Sequence, residues 1–183
     1  MGELIFVCGA NRSGKSLFAE KLVSCTEGKR YYIATMINTT EDNQQHIIKH
    51  RNQRANLNFT TLELPFGFYQ QEFEEESVVL LEDVSNLLAN LIFVKNQGLE
   101  QAVNEIFKLR EKCQKLFVVS ILGLNAEVYE GETKDYVNLL NEINQVLFDT
   151  ADAVVQMENR RPILKKGEIS FADKGLFDSP VHI

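Results

Sequence analysis

Residues 4–16 read Leu4-Ile5-Phe6-Val7-Cys8-Gly9-Ala10-Asn11-Arg12-Ser13-Gly14-Lys15-Ser16. Five consecutive apolar residues fit a strand buried on both faces, and a turn bracketed by two glycines then leads into a helical pattern with Phe18, Leu22 and Cys25 on one side. A buried strand that leads directly through a glycine-bracketed turn into a helix sets the expectation for the rest of the chain.

Working outward, short β-branched or aromatic runs alternate with helical patterns, the signature of a parallel sheet with crossover helices. Strands are expected at residues 4–8, 31–35, 78–81, 116–121 and 153–157, with a final one around 163–165. Leu99, Ala102, Val103, Ile106, Leu109 and Cys113 form one apolar helical stripe, and Tyr136, Leu139, Leu140, Ile143, Val146 and Leu147 form another. Residues 39–54 are polar and start acidic, so they read as a surface helix capped by Thr39 or Thr40. The glutamates at 72 and 74–76 read as a solvated turn. After Lys166 periodicity fades and Gly167, Gly175 and Pro180 gather, which points to a loose extension over 167–183 behind one domain of residues 1–166. The expected fold class is α/β, a P-loop (RecA-like) three-layer fold with a mostly parallel sheet and flanking helices.

Gly9 to Ser16 fits G-x-x-x-x-G-K-[ST] in the strand–loop–helix setting that the motif requires. The glycines let successive backbone N–H groups and the helix N-terminus face phosphate oxygens. Lys15 reaches the β- and γ-phosphates, and the Ser16 hydroxyl is a ligand for Mg²⁺. Such a site needs a second acid at the end of another strand, and Val78-Val79-Leu80-Leu81-Glu82-Asp83 supplies two. Side-chain alternation lets only one of them face the nucleotide, and the other reads as a helix N-cap for the Leu87, Leu88, Leu91 stripe. His46 and His50 share a helical face with Arg51 and Arg54 alongside. A metal pair, a solvated polar helix, and a nucleophilic or acid/base histidine ringed by phosphate-binding guanidinium groups all fit that spacing.

Composition bounds the partners. In 183 residues, 19 Lys+Arg stand against 26 Asp+Glu, a net charge of −7 that argues against a nucleic-acid coat protein or an anionic-membrane binder. Three cysteines, widely spaced, indicate neither a disulfide framework nor a zinc site, and read as small hydrophobes in a reducing cytoplasm. Neither a signal peptide nor a membrane span is expected.

Taken together, these residues resemble the bifunctional adenosylcobinamide kinase / adenosylcobinamide-phosphate guanylyltransferase family of cobalamin biosynthesis, over roughly residues 4–166. Beyond the phosphate loop the resemblance rests on Phe18-Ala19-Glu20, Tyr32-Ile33-Ala34-Thr35, Ile47-Ile48-Lys49-His50-Arg51 with Arg54, Thr61-Leu62-Glu63, Leu80-Leu81-Glu82 with Asn90-Leu91, and Asn144-Gln145. It implies an enzyme that uses ATP or GTP with Mg²⁺ to phosphorylate the aminopropanol arm of adenosylcobinamide. GMP is then passed from GTP through a guanylylated histidine to give adenosylcobinamide-GDP. Carried onto this sequence, His50 is that histidine, and Lys15 acts in catalysis. Gly9, Ala10, Asn11, Arg12, Ser13, Gly14, Lys15 and Ser16 form the phosphate loop. Ala34, Thr35, Met36, Arg51, Asn52, Gln53, Arg54, Glu63 and Glu82 are further nucleotide contacts, with Ser16 and Glu82 on the metal. The resemblance also implies a homotrimer and a corrinoid partner; the length of 183 residues, which leaves little room for a separate corrinoid domain, points to a substrate pocket completed by a neighbouring subunit.

The sequence departs from the family pattern where Asn-Glu-Val-Gly is usual and Ile121-Leu122-Gly123-Leu124 stands here. A segment usually rich in Arg, Asp and Gly is Lys134-Asp135-Tyr136-Val137-Asn138 with Asn141, and His46 replaces a common arginine. These changes bear on the acceptor more than on the nucleotide, leaving two alternatives: another P-loop small-molecule kinase without guanylyl transfer, and a nucleotide-binding regulatory subunit.

Overall fold

The computed structural model describes residues 1–37, 57–170 and 175–181. Its centre is a seven-stranded sheet in the order β3-β2-β4-β5-β1-β6-β7. The strands are β1 (Glu3–Gly9), β2 (Arg30–Ala34), β3 (Phe59–Glu63), β4 (Val78–Glu82), β5 (Lys115–Ile121), β6 (Ala153–Glu158) and β7 (Arg161–Lys166). All neighbouring pairs are parallel except β6 and β7, which form an antiparallel hairpin. This is the α/β P-loop architecture expected from the opening stretch.

The apolar runs form parallel strands because both of their faces are covered. Leu4, Phe6 and Cys8 of β1 face a core shared with Ile33, Leu81 and Val118 and closed by α2 (Val84–Lys95), α3 (Leu99–Glu111) and α4 (Gly131–Thr150). Ile5 and Val7 face the opposite core, where α1 (Lys15–Ser24) contributes Phe18, Ala19, Leu22 and Val23. Three layers result, and the loop after β1 emerges at the carboxyl edge of a central strand.

Four differences from the sequence expectation have local causes. Thr35 leaves β2 because its N–H and hydroxyl turn onto the end of β4, as described below. Phe59–Glu63 forms an edge strand that the apolar pattern does not announce, since Thr60 and Glu63 are exposed and the other residues only half-buried. The last strand is longer than residues 163–165, because Asn159 and Arg160, both at positive φ, close a two-residue hairpin turn that zips Glu158 to Arg161. The fourth difference is the stretch after Lys166, which is not loose throughout. Around the short helix α5 (Gly175–Asp178), the Phe177 ring meets Phe18 edge-on at 5.5 Å, and the Val181 N–H donates to the Arg160 carbonyl at 2.7 Å. One tie anchors the base of the sheet. Arg110 donates to the Gly2 carbonyl at 2.7 Å and to Asp152 at 2.6 Å, and Asp152 in turn accepts from the Leu4 N–H at 2.7 Å.

Candidate functional site

The loop between β1 and α1 is shaped by its glycines. A Cβ on Gly9 would lie 2.7 Å from Ser13 Oγ and 2.9 Å from the Met157 carbonyl oxygen, so no larger residue fits where the chain bends. Gly14 caps α1 at φ 86°, a left-handed conformation that glycine adopts without strain. Arg12 also sits at positive φ, at 56°. The free N-terminal amides of α1 therefore open toward the loop, and a helix N-terminus of this kind favours anions. Lys15 curls back over the loop, its Nζ donating to the Ala10 carbonyl at 3.3 Å.

Glu82 closes the site from β4. The Ser16 hydroxyl donates to Glu82 Oε1, joining the first helical turn to the acid at the strand end. Burial, reinforced by the neighbouring Asp83 charge, pushes the Glu82 carboxyl up to about 8. Its other oxygen, Oε2, is buried with no hydrogen-bond partner among the described residues, as is Ser13 Oγ. The two consecutive acids divide their work between the loop and the next helix. Asp83 accepts from the Asn86 N–H at 2.8 Å as the N-cap of α2, and from the Ser85 hydroxyl at 2.6 Å.

Thr35 holds Glu82 in place. Its N–H donates to the Glu82 carbonyl at 2.9 Å, and its hydroxyl bridges the backbone of Glu82 and Asp83, accepting from the Asp83 N–H at 2.8 Å. Asn90 of α2 donates to the Thr35 carbonyl at 2.7 Å and to that of Pro65 at 3.2 Å. Fully buried, Thr35 thus acts on the backbone that presents Glu82.

Ala34, Glu63 and Glu82 share one register row across β2, β3 and β4 at the same carboxyl edge, and Met36 is exposed just beyond it. Gly9 to Ser16, Thr35 and Glu82 are brought together. The remaining expected residues, His50, Arg51, Asn52, Gln53 and Arg54, lie outside the described residues, as do His46 and the helix expected at 39–54. On the far flank of the loop a cleft of about 790 Å³ is walled by residues 10–13, 122–123 and 156–160. Pattern reading passes over residues 156–160. Their signal is positional: a polar turn at the carboxyl end of the strand next to β1.

The model of the family described as cobinamide kinase / cobinamide phosphate guanyltransferase matches residues 5–163. The chain belongs to this family. No curated protein matches it in sequence. Among solved structures, a prototypical ATPase from the type III secretion system of pathogenic bacteria is similar at 11% identity and a TM-score of 0.53, over 90% of this chain and 55% of that one. The chain therefore spans about half the length of that ATPase, and the likeness is one of fold. A protein of Pyrococcus horikoshii OT3 aligns at 11% identity and a TM-score of 0.48, over 98% of this chain and 92% of that one. Within the cobinamide kinase family match fall the phosphate loop, Glu82 and both segments that depart from the family pattern. Those two segments meet in space, since Asn141 of α4 donates to the Leu124 carbonyl at 3.3 Å; beside them the family-like Asn144 donates to the Ile121 carbonyl at 2.9 Å.

Proposed function

We propose that this protein phosphorylates adenosylcobinamide with a nucleoside triphosphate and then converts the product to adenosylcobinamide-GDP with GTP. The observation that carries the reading is the meeting of Ser16 and Glu82 beside Lys15 at the N-terminus of α1. In the first step the hydroxyl of the aminopropanol arm attacks the γ-phosphorus and the bond to the β-phosphate oxygen breaks, releasing the nucleoside diphosphate. The loop amides and Lys15 hold the phosphates and stabilise the charge that builds on the departing oxygen. Ser16 and Glu82 offer hard oxygen donors, and the unpartnered Glu82 Oε2 leaves one acceptor free, a set that fits Mg²⁺. Bound there, Mg²⁺ would add positive charge against the β- and γ-phosphates.

In the second step a ring nitrogen of His50 attacks the α-phosphorus of GTP and pyrophosphate leaves. A phosphate oxygen of the cobinamide phosphate then attacks the same phosphorus, breaking the P–N bond and freeing the histidine. Imidazole is a competent nucleophile at neutral pH, and the covalent intermediate divides one encounter between polyanions into two easier ones. Arg51 and Arg54 would neutralise the departing pyrophosphate. Asn52, Gln53, Ala34, Met36 and Glu63 complete the proposed nucleotide contacts. The homotrimer, the cytoplasmic location and the choice of ATP or GTP as phosphate donor belong to the same proposal.

A second reading keeps γ-phosphoryl transfer but changes the acceptor. It is favoured by the contact of α4 with residues 121–124, which unites the two departures in one place beside the loop. Mass analysis of the corrinoid after incubation with ATP, GTP and Mg²⁺ separates the readings. Adenosylcobinamide should first gain one phosphate and then one GMP, and in Lys15→Ala both gains should vanish with the fold retained. An unchanged corrinoid would favour the second reading.

A further inference from the structure

Residues 175–181 lie beyond the stretch that matches the family, which ends at residue 163, yet they pack directly on the phosphate loop. We propose that this segment is a clasp, with Val181 as a positioning residue that holds Gly14, and through it the phosphate loop, in the conformation that binds phosphates. The proposal rests on the nucleotide-binding reading given above and gives the segment no contact with the ligand itself.

The clasp grips the first hydrogen bond of α1 at both ends. That bond runs from the Phe18 N–H to the Gly14 carbonyl at 2.9 Å. Phe177 meets the Phe18 ring edge-on at 5.5 Å, and four residues later Val181 lies against Gly14. A third attachment fixes the far side, where the Val181 N–H donates to the Arg160 carbonyl at 2.7 Å in the turn between β6 and β7. Val181 is 3% exposed and shares one core with Phe18 and Met157, while Leu176 and Phe177 pack against the same core. Pro180, whose ring fixes its own φ, restricts the backbone that delivers the Val181 side chain.

Gly14 is the position in the loop that most needs such support. At φ 86° it takes a conformation that glycine enters without strain, and for the same reason glycine leaves it easily. The position a Cβ would take on Gly14 lies 3.3 Å from Val181 Cβ, 3.4 Å from Val181 Cγ1 and 3.9 Å from Met157 Cε. Two neighbours therefore supply the packing that the glycine lacks, and Met157 also backs Gly9, at 3.0 Å from its Cβ to the matching position there. Because the N-terminal amides of α1 follow directly on Gly14, holding this residue holds their direction. A loop already in its binding conformation loses less freedom when a ligand arrives, and its apparent affinity rises with the fraction of molecules in that conformation.

Titration calorimetry of the full chain with Mg²⁺ and inorganic tripolyphosphate, and with Mg²⁺ and GTP, tests the clasp at a temperature where a thermal melt shows each protein folded. In Val181→Asn, a neutral substitution whose buried amide drives the segment off the core, both affinities should fall in parallel by about fivefold or more, as when the binding-competent fraction drops to about a fifth. Phe73→Ala provides the comparison for general destabilisation, since its ring packs on Tyr31 at 5.1 Å in the opposite core; both affinities should there stay within about twofold of the wild type. Unchanged affinities in Val181→Asn, a loss confined to GTP, or an equal loss in Phe73→Ala would overturn the proposal. Where Val181→Asn fails to fold, Val181→Ala is judged by the same outcomes. Wild-type protein that binds neither ligand would defeat the nucleotide-binding reading and the clasp with it; full wild-type affinity in Val181→Asn would defeat the clasp alone.

Discussion

Two adjacent carboxylates with different duties show how finely single residues are assigned. Glu82 and Asp83 are chemically near-equal, yet one accepts from the Ser16 hydroxyl at the strand end and the other caps α2. Glu105 is a buried carboxylate outside the site. Its Oε2 accepts from the Gly67 N–H at 2.6 Å, holding the turn before the short 3-10 helix Phe68–Gln70. Burial raises its carboxyl above the usual range, against the lowering effect of its hydrogen bonds. Folding therefore binds a proton here, so this group's contribution to stability is full below the ordinary glutamate range and is lost as pH rises through the folded-state value. Urea midpoints of wild type and Glu105→Gln, measured in parallel from about pH 4 to pH 8, isolate the effect. The difference should move against the wild type as pH rises. A pH-independent difference, or one growing in favour of the wild type, would contradict this account.

At the scale of elements, the parts legible in advance are those whose period is enforced by burial. β1, β4 and β5 are sealed on both faces, so their apolar runs announce them, and the stripes of α3 and α4 follow the cores that they cover. β3 escaped because an edge strand with exposed Thr60 and Glu63 needs no apolar run. The phosphate loop was legible through local geometry, since Gly9 and Gly14 occupy positions where a side chain would clash or be strained. The cleft wall at 156–160 was not, because its importance comes from strand order, which only the folded sheet supplies. The C-terminal packing was hidden for a similar reason: Phe177 and Val181 are two apolar residues without periodicity, and they gain meaning from Phe18 and Gly14. Phe177→Ala, which removes a half-buried ring, should cost about 1–2 kcal/mol in chemical denaturation. A loss indistinguishable from zero would mean that the segment merely rests on α1.

For the whole molecule, the net charge of −7 is compatible with a polyanionic ligand because the site supplies its own positive field. Arg12 and Lys15 contribute side chains, and the N-terminus of α1 contributes backbone amides. Among the described residues no helix is long and apolar enough to cross a membrane. The sheet gathers Gly9, Ala34, Glu63 and Glu82 along one carboxyl edge, the register that the proposed nucleotide contacts require. On this scaffold the proposed carrier of GMP between GTP and the acceptor is His50. Incubating the protein with Mg²⁺ and GTP labelled at the α-phosphate, then denaturing it and measuring protein-bound label, tests that claim most directly. The account predicts an acid-labile, base-stable adduct in the wild type that disappears in His50→Ala; absence of label in the wild type, or label that persists in His50→Ala, would contradict it.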